Sequence, residues 1–325
     1  MKLIYKLATV ALAWFIITTS VYAEQVPGPL INADWLVKNK DKVVILDVRK
    51  DTESFTVKAN ETTDTRDSTA KESSGINVAG HIPGAILVSW KKVRVKRTVD
   101  GVDLIKLVPT KPEMEGLMRD HGVNSDSAVI ISMKGSESKN LTFVTRLYWQ
   151  MKYWGHDNVA ILDGGTAAWM AAGNETSVDK SNPEKGNWAA KEALTEILAT
   201  TADVEKAVAD GTQLIDARTE DYYLGSSQKE YVFAAGHIPG AKGFSNKLIV
   251  NNEQAATFQP ADKVASLMKA SGIDPTGASI AYCDSGHYST GVWFLMHEIM
   301  GNKQVKQYDG SMHEWTKLKK PTNVP

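Results

Sequence analysis

The seven residues AGHIPGA occur twice, at 79–85 and again at 235–241. They are not alone. VVILDVRK around Asp47 returns as TQLIDART around Asp216, and ILDGGTAAW ending at Trp169 returns as QYDGSMHEW ending at Trp315. Three separated elements in the same order make the chain a tandem duplication, so the fold is two copies of one unit. The last element keeps its spacing, since Asp163 to Trp169 and Asp309 to Trp315 are each six residues. The first does not: Asp47 to His81 is 34 residues, whereas Asp216 to His237 is 21. The first copy therefore carries an insertion, placed in the polar stretch 52–75 and expected to be an exposed loop.

Within each copy, short apolar runs alternate with helix-length segments. Val43–Val48, 128–132 and 158–162 in the first copy, and 214–217 and 278–282 in the second, have the length and composition of buried strands. Residues 142–155 and 290–301 are amphipathic and each closes on a glycine suited to a helix C-terminus. The pattern predicts an α/β fold, two tandem domains each with a parallel sheet flanked by helices, whose ligands bind beyond the carboxyl ends of the strands. The expected organisation is an N-terminal domain over 24–175, a polar linker over 176–190 and a C-terminal domain over 191–325.

Residues 1–23 combine Lys2 and Lys6, an apolar run from about Leu7 to Ile17, and Val21-Tyr22-Ala23 before a cleavage point. This is the pattern of a signal peptide, giving an exported chain, periplasmic if bacterial. The alternative of an uncleaved anchor requires a run of roughly 18–20 apolar residues, longer than this one, so no stable membrane insertion is expected after cleavage. The whole chain has a formal charge of −1, and losing Lys2 and Lys6 leaves 35 basic against 38 acidic residues, a charge of −3. No nucleic-acid partner is indicated.

Cys283 is the only cysteine, so no internal disulfide is available even in an oxidising compartment. It ends the strand 278–282 and opens the turn CDSGHY before a helix that Ser289 or Thr290 would cap. The duplication acts as an internal control. His81 and His237 lie in identical turns, and Asp47/Asp216, Arg49/Arg218, Asp163/Asp309 and Trp169/Trp315 are also shared, which marks all of them as structural. The cysteine turn is not shared: the first copy has Met133 there, and a thioether forms no thiolate. A polar strand-to-helix turn can aim backbone N–H groups at an anion, an environment that stabilises a thiolate nucleophile. The candidate site is catalytic Cys283 with Asp284, Ser285, Gly286, His287, Tyr288 and Ser289 of its turn. His287 is either a proton donor and thiolate-stabilising cation or a solvent-facing loop residue.

The order D-x-R, GHIPGA, strand-C-x-x-G-helix, then DGG or DGS-x-x-x-W, present twice with the cysteine only in the second copy, resembles the tandem-domain rhodaneses, the thiosulfate and mercaptopyruvate sulfurtransferases. The resemblance covers essentially all of 24–325. It implies an inactive first domain packed on an active second one, and a Cys283 that takes sulfane sulfur as a persulfide and passes it to a thiol or cyanide acceptor. It implies small-molecule partners only, with no metal and no organic cofactor. The turn departs from the family patterns C-R-K-G-x-T and C-G-S-G-x-T at Asp284, a carboxylate expected to oppose a dianionic donor and the thiolate itself. An arginine that the family places after the second D-x-R is replaced by Tyr222, and Lys242 and Lys247 are candidates for the missing charge. An atypical donor follows from these departures. A non-catalytic binding or thiol redox-sensing module stands as the alternative. A cysteine phosphatase would need an arginine six residues after the cysteine, where Ser289 stands.

Overall fold

The computed structural model describes residues 24–58 and 77–324; the leader and most of the inserted stretch lie outside the described residues. In chain order, the first half contains β1 (Leu30–Ile31), α1 (Ala33–Asn39), β2 (Val44–Arg49), β3 (Ile86–Ser89), β4 (Val95–Val99), β5 (Val102–Leu107), α2 (Lys111–Asp120), β6 (Val129–Ser132), α3 (Ser138–Tyr153), β7 (Val159–Leu162) and α4 (Gly165–Ala171). The second half contains β8 (Leu198–Ala199), α5 (Thr201–Asp210), β9 (Gln213–Asp216), α6 (Glu220–Tyr223), β10 (Lys242–Gly243), β11 (Val250–Asn251), β12 (Thr257–Phe258), α7 (Ala261–Ala270), β13 (Ser279–Tyr282), α8 (Ser289–Phe294), β14 (Val305–Tyr308) and α9 (Ser311–Lys317).

The two main sheets have the same topology, β1-β7-β6-β2-β3 and β8-β14-β13-β9-β10, with every neighbour parallel. All four residues of β6, β7 and β13 are buried, as strands covered by helices on both faces require. The shared motifs hold this frame. Arg49 donates to both carboxylate oxygens of Asp47 and to Gly80 O, while Arg218 repeats this with Asp216 and Gly236 O. The arginine shared by the two copies thus pins each GHIPGA turn to its own sheet.

One feature differs from the sequence expectation. The start of the insertion is not an exposed loop: Ser54 and Phe55 are buried, and Phe55 stacks on the His81 ring at 3.7 Å. The joining segment is tied to the first half. Ser177 bridges His81, Gly186 N–H donates to Arg119 O, and Trp188 is buried.

The halves share one apolar core, which includes Met133, Leu147 and Trp149 from the first and Ala281, Cys283, Trp293 and Met296 from the second. α3 packs on α8, where the Thr145 and Thr290 hydroxyls lie 3.0 Å apart. The halves also exchange arms. After the hairpin β4–β5, Val108 N–H donates to Asp309 Oδ2 of the second half at 2.8 Å. After the start of β12, Phe258 N–H donates to Asp163 Oδ1 of the first at 3.0 Å. Each half reaches over the carboxyl-end loops of the other.

Candidate active site

Cys283 follows β13 directly and is buried. Its Sγ accepts the His287 N–H at 3.1 Å. The turn is shaped by Ser311, whose Oγ accepts the N–H groups of Cys283 (3.1 Å) and Gly286 (3.0 Å) while its own O–H donates to Tyr308 O (2.8 Å). Two of the turn's amides are therefore committed to a side chain, and the His287 amide is the one on the sulfur. Gly286 has φ +63°, and a Cβ there would lie 2.4 Å from Asp309 O, so only glycine fits. α8 begins at Ser289 with Tyr288 as its flanking residue, so neither Ser289 nor Thr290 caps it: Ser289 Oγ accepts from Gln307, and Thr290 donates to His287 O.

The remaining turn side chains separate by role. Asp284 is buried with Oδ1 3.5 Å from Arg218 Nη1. Desolvation pushes its pKa up, opposed by Arg218. The carboxylate expected to stand uncompensated beside the thiolate thus has a buried guanidinium against it. Ser285 is buried, and Arg94 Nη1 lies 3.5 Å from its Oγ. His287 is neither solvent-facing nor a cation. Its ring lies 4.5 Å from Trp90 and 5.3 Å from Phe143, and Nε2 pairs with Thr142 Oγ1 at 2.8 Å. Burial, then repulsion from Arg94, Arg146 and Lys106, holds its pKa well below the usual value, so it is neutral. Tyr288 is half-buried, 4.8 Å from the His287 ring. Ser289 is fully buried on Gln307 and has no surface for a substrate. Tyr222 is paired with Lys229, whose ammonium donates to its hydroxyl at 2.7 Å. Lys242 is spent on Gly272 O and Lys247 is exposed.

The positive charge comes from elsewhere. Arg94, immediately before β4, stacks over the Trp90 ring at 4.2 Å. Lys106, in β5, stands over the Tyr231 ring with its nitrogen 3.2 Å from the centroid. Burial and mutual repulsion among the guanidiniums lower Arg94 to about 10, and burial with Arg94 lowers Lys106 to about 8; negative charge on Cys283 raises both. Both remain mainly charged at neutral pH and face the thiol electrostatically. Arg146, from α3, is buried and donates to Gly286 O (2.6 Å) and Asp309 Oδ1 (2.5 Å), clamping the turn. Sequence reasoning confined to the second copy missed Arg94, Lys106 and Arg146, because all three belong to the first. It also passed over Ser311, although Gly165 at the matching place in the first copy signals the difference.

The site is therefore a buried thiol at the carboxyl end of a parallel sheet, in the second of two repeated α/β domains. The rhodanese-like domain model matches residues 32–172 and 200–318, and the chain belongs to that family. It is 31% identical over 313 residues to a protein of Haloferax volcanii named "Putative thiosulfate sulfurtransferase", covering 93% of this chain and 96% of that one. It is 28% identical over 250 residues to the sulfur carrier protein TtuD of Thermus thermophilus, covering 74% and 83%. Among solved structures, the 3-mercaptopyruvate sulfotransferase SseA of Escherichia coli matches with a TM-score of 0.68 at 24% identity, covering 87% of this chain and 98% of that one. At that identity the likeness is one of fold. Among the described residues no helix is long and apolar enough to cross a membrane.

Proposed function

We propose that the protein is a sulfurtransferase that carries sulfane sulfur on Cys283 as a persulfide. The observation that carries this reading is the Cys283 sulfur, buried and holding a backbone N–H at 3.1 Å, in a turn whose Ser285 Oγ lies 3.5 Å from Arg94. The thiolate attacks the outer sulfur of a donor such as thiosulfate; a new S–S bond forms, the donor's S–S bond breaks, and sulfite leaves with its electron pair. An acceptor thiolate or cyanide then attacks the outer persulfide sulfur, and the Cys283 thiolate leaves as a thiolate. Neutral His287 takes no proton in either step; its amide holds the sulfur and its ring closes the wall with Trp90 and Phe143. The names of the relatives, sulfurtransferase and sulfur carrier, support this chemistry.

A redox sensor based on a disulfide within the chain has no second cysteine to form it. Export is part of the proposal and rests on the pattern of residues 1–23; the N-terminus of the secreted protein would begin at Glu24. Intact mass after incubation with thiosulfate should rise by one sulfur atom, localised to Cys283, and the gain should be absent in Cys283→Ser and reversed by cyanide. A wild-type protein that gains no sulfur from any sulfane donor refutes the reading.

A further inference from the structure

We propose that the catalytically silent first half supplies the anion-recognition part of the site: Arg94 and Lys106 bind the dianionic end of a thiosulfate-class donor over Cys283. This rests on the sulfurtransferase reading for the reaction but not for the binding.

Three observations support it independently. The first is the unmet bonding capacity of Arg94. Among the described residues it has no carboxylate within ion-pair distance, and its Nε is buried without a hydrogen-bond partner. A buried guanidinium donor left open is costly unless something fills it. The second is backbone conformation. Lys106 has φ +66°, a left-handed conformation uncommon for a non-glycine residue, at the register irregularity of the β4–β5 hairpin, where a bulge re-aims a side chain. The conformation accompanies an ammonium held over Tyr231, with Arg94 above Ser285 of the cysteine turn.

The third is the repeat. The exchanged arms correspond through their matching bonds, Val108 to Asp309 and Phe258 to Asp163. Counting back two residues from each sets Lys106 against Ala256. The short helical turns before the arms, Trp90–Lys92 and Asn246–Ile249, follow Ser89 and Ser245 and set Arg94 against Val250. The arm over the living site thus carries two cations, and the arm over Met133 carries Val and Ala. Asp284 lies 3.5 Å from Arg218, which also holds Asp216, so this carboxylate is only partly offset and the two cations of the arm are what an anionic donor would meet. A dianion with oxygens to accept from Arg94 and a charge to meet Lys106 is the ligand class that fits.

The test uses the full chain with Cys283→Ser, so that binding is read without turnover. Calorimetric titration with thiosulfate should show saturable binding that weakens with added salt. Arg94→Gln and Lys106→Gln should each raise Kd about tenfold, the loss expected for one charge-assisted contact. Arg94→Lys and Lys106→Arg should recover most of it, which a purely structural role would not. No saturable binding to the parent, or a Kd in both Gln variants unchanged from that of the parent, overturns the proposal. If the parent binds thiosulfate through these residues while wild type never gains sulfur, the recognition site stands and the sulfurtransferase reading falls.

Discussion

Ser311 does for Cys283 what no side chain does for Met133. Its hydroxyl accepts two buried N–H groups of the cysteine turn, and the matching position in the first copy is Gly165. Ser311→Ala leaves both amides unsatisfied, at about 1–3 kcal/mol each before relaxation. We expect a clear loss of thermal stability and slower sulfur loading of Cys283, checked by denaturation and by intact mass at timed intervals. The same reasoning makes Met133→Cys silent. Ser136 stands where the active turn has Gly286, and Gly165 offers no hydroxyl, so that thiol gains no organised turn. The measured mass should still rise by one sulfur and not two. The nucleophile was legible because the repeat exposed the Met133/Cys283 difference. Ser311 was equally open to that comparison but was absorbed into a shared DGG/DGS motif. The neutral state of His287 was not legible, because it depends on Trp90, Phe143, Arg94 and Arg146 from the other half.

The hairpin β4–β5 is the element that carries the charge, and its turn is made by Asp100 and Gly101, both at positive φ, as a two-residue hairpin requires. Beside the Val108–Asp309 bond, one contact that holds it over the site comes from His313 at the start of α9. Ile105 N–H donates to Nε2 at 3.3 Å, so Nδ1 keeps the proton and donates to Tyr231 O at 2.6 Å. Protonating Nε2 would set a donor against a donor. Burial lowers the His313 pKa, with Lys317 and Lys106 acting in the same direction against the Tyr231 hydrogen bond. The folded pKa is thus below the usual value near 6.5, so this latch is fully present above about 6.5 and is lost as pH falls through the lowered pKa. At the alkaline end Lys106, lowered to about 8, gives up its charge. Thiosulfate KM should therefore be lowest between the two limits and rise on both sides. His313→Gln, which offers an uncharged acceptor to Ile105, should flatten the acid limb, and Lys106→Arg should remove the alkaline one; unchanged limbs in both variants would contradict this assignment. The alternation of strands and helices was legible because both copies obey it. The arm exchange was not, since periodicity identifies elements and not the domain they cover.

At the scale of the molecule, the two halves are joined by a buried ion pair that is also part of the site. Arg146 of α3 and Asp309 after β14 are both buried and bonded at 2.5 Å; Arg146 also holds Gly286 O, and Asp309 also holds Val108 N–H. Four segments from two domains meet on one pair. Removing one member leaves a buried charge without its partner, typically about 3–5 kcal/mol, whereas removing both charges costs less than the sum. We expect Arg146→Met to be strongly destabilising. Asp309→Asn keeps an acceptor for Val108 and should cost less, and Arg146→Met/Asp309→Asn should be more stable than the two single losses added together. Because one apolar core also runs through both halves, unfolding of every variant should remain a single transition by calorimetry. Two separable transitions in Arg146→Met would mean that the halves fold independently and that the pair only orients them. Sulfur loading distinguishes the pair's two duties: in the double variant the interface regains much of its stability but Gly286 O loses its guanidinium, so transfer should stay impaired while the melting temperature recovers. Parallel recovery of both would place Arg146 in the interface alone and leave Ser311 as the residue that organises the turn.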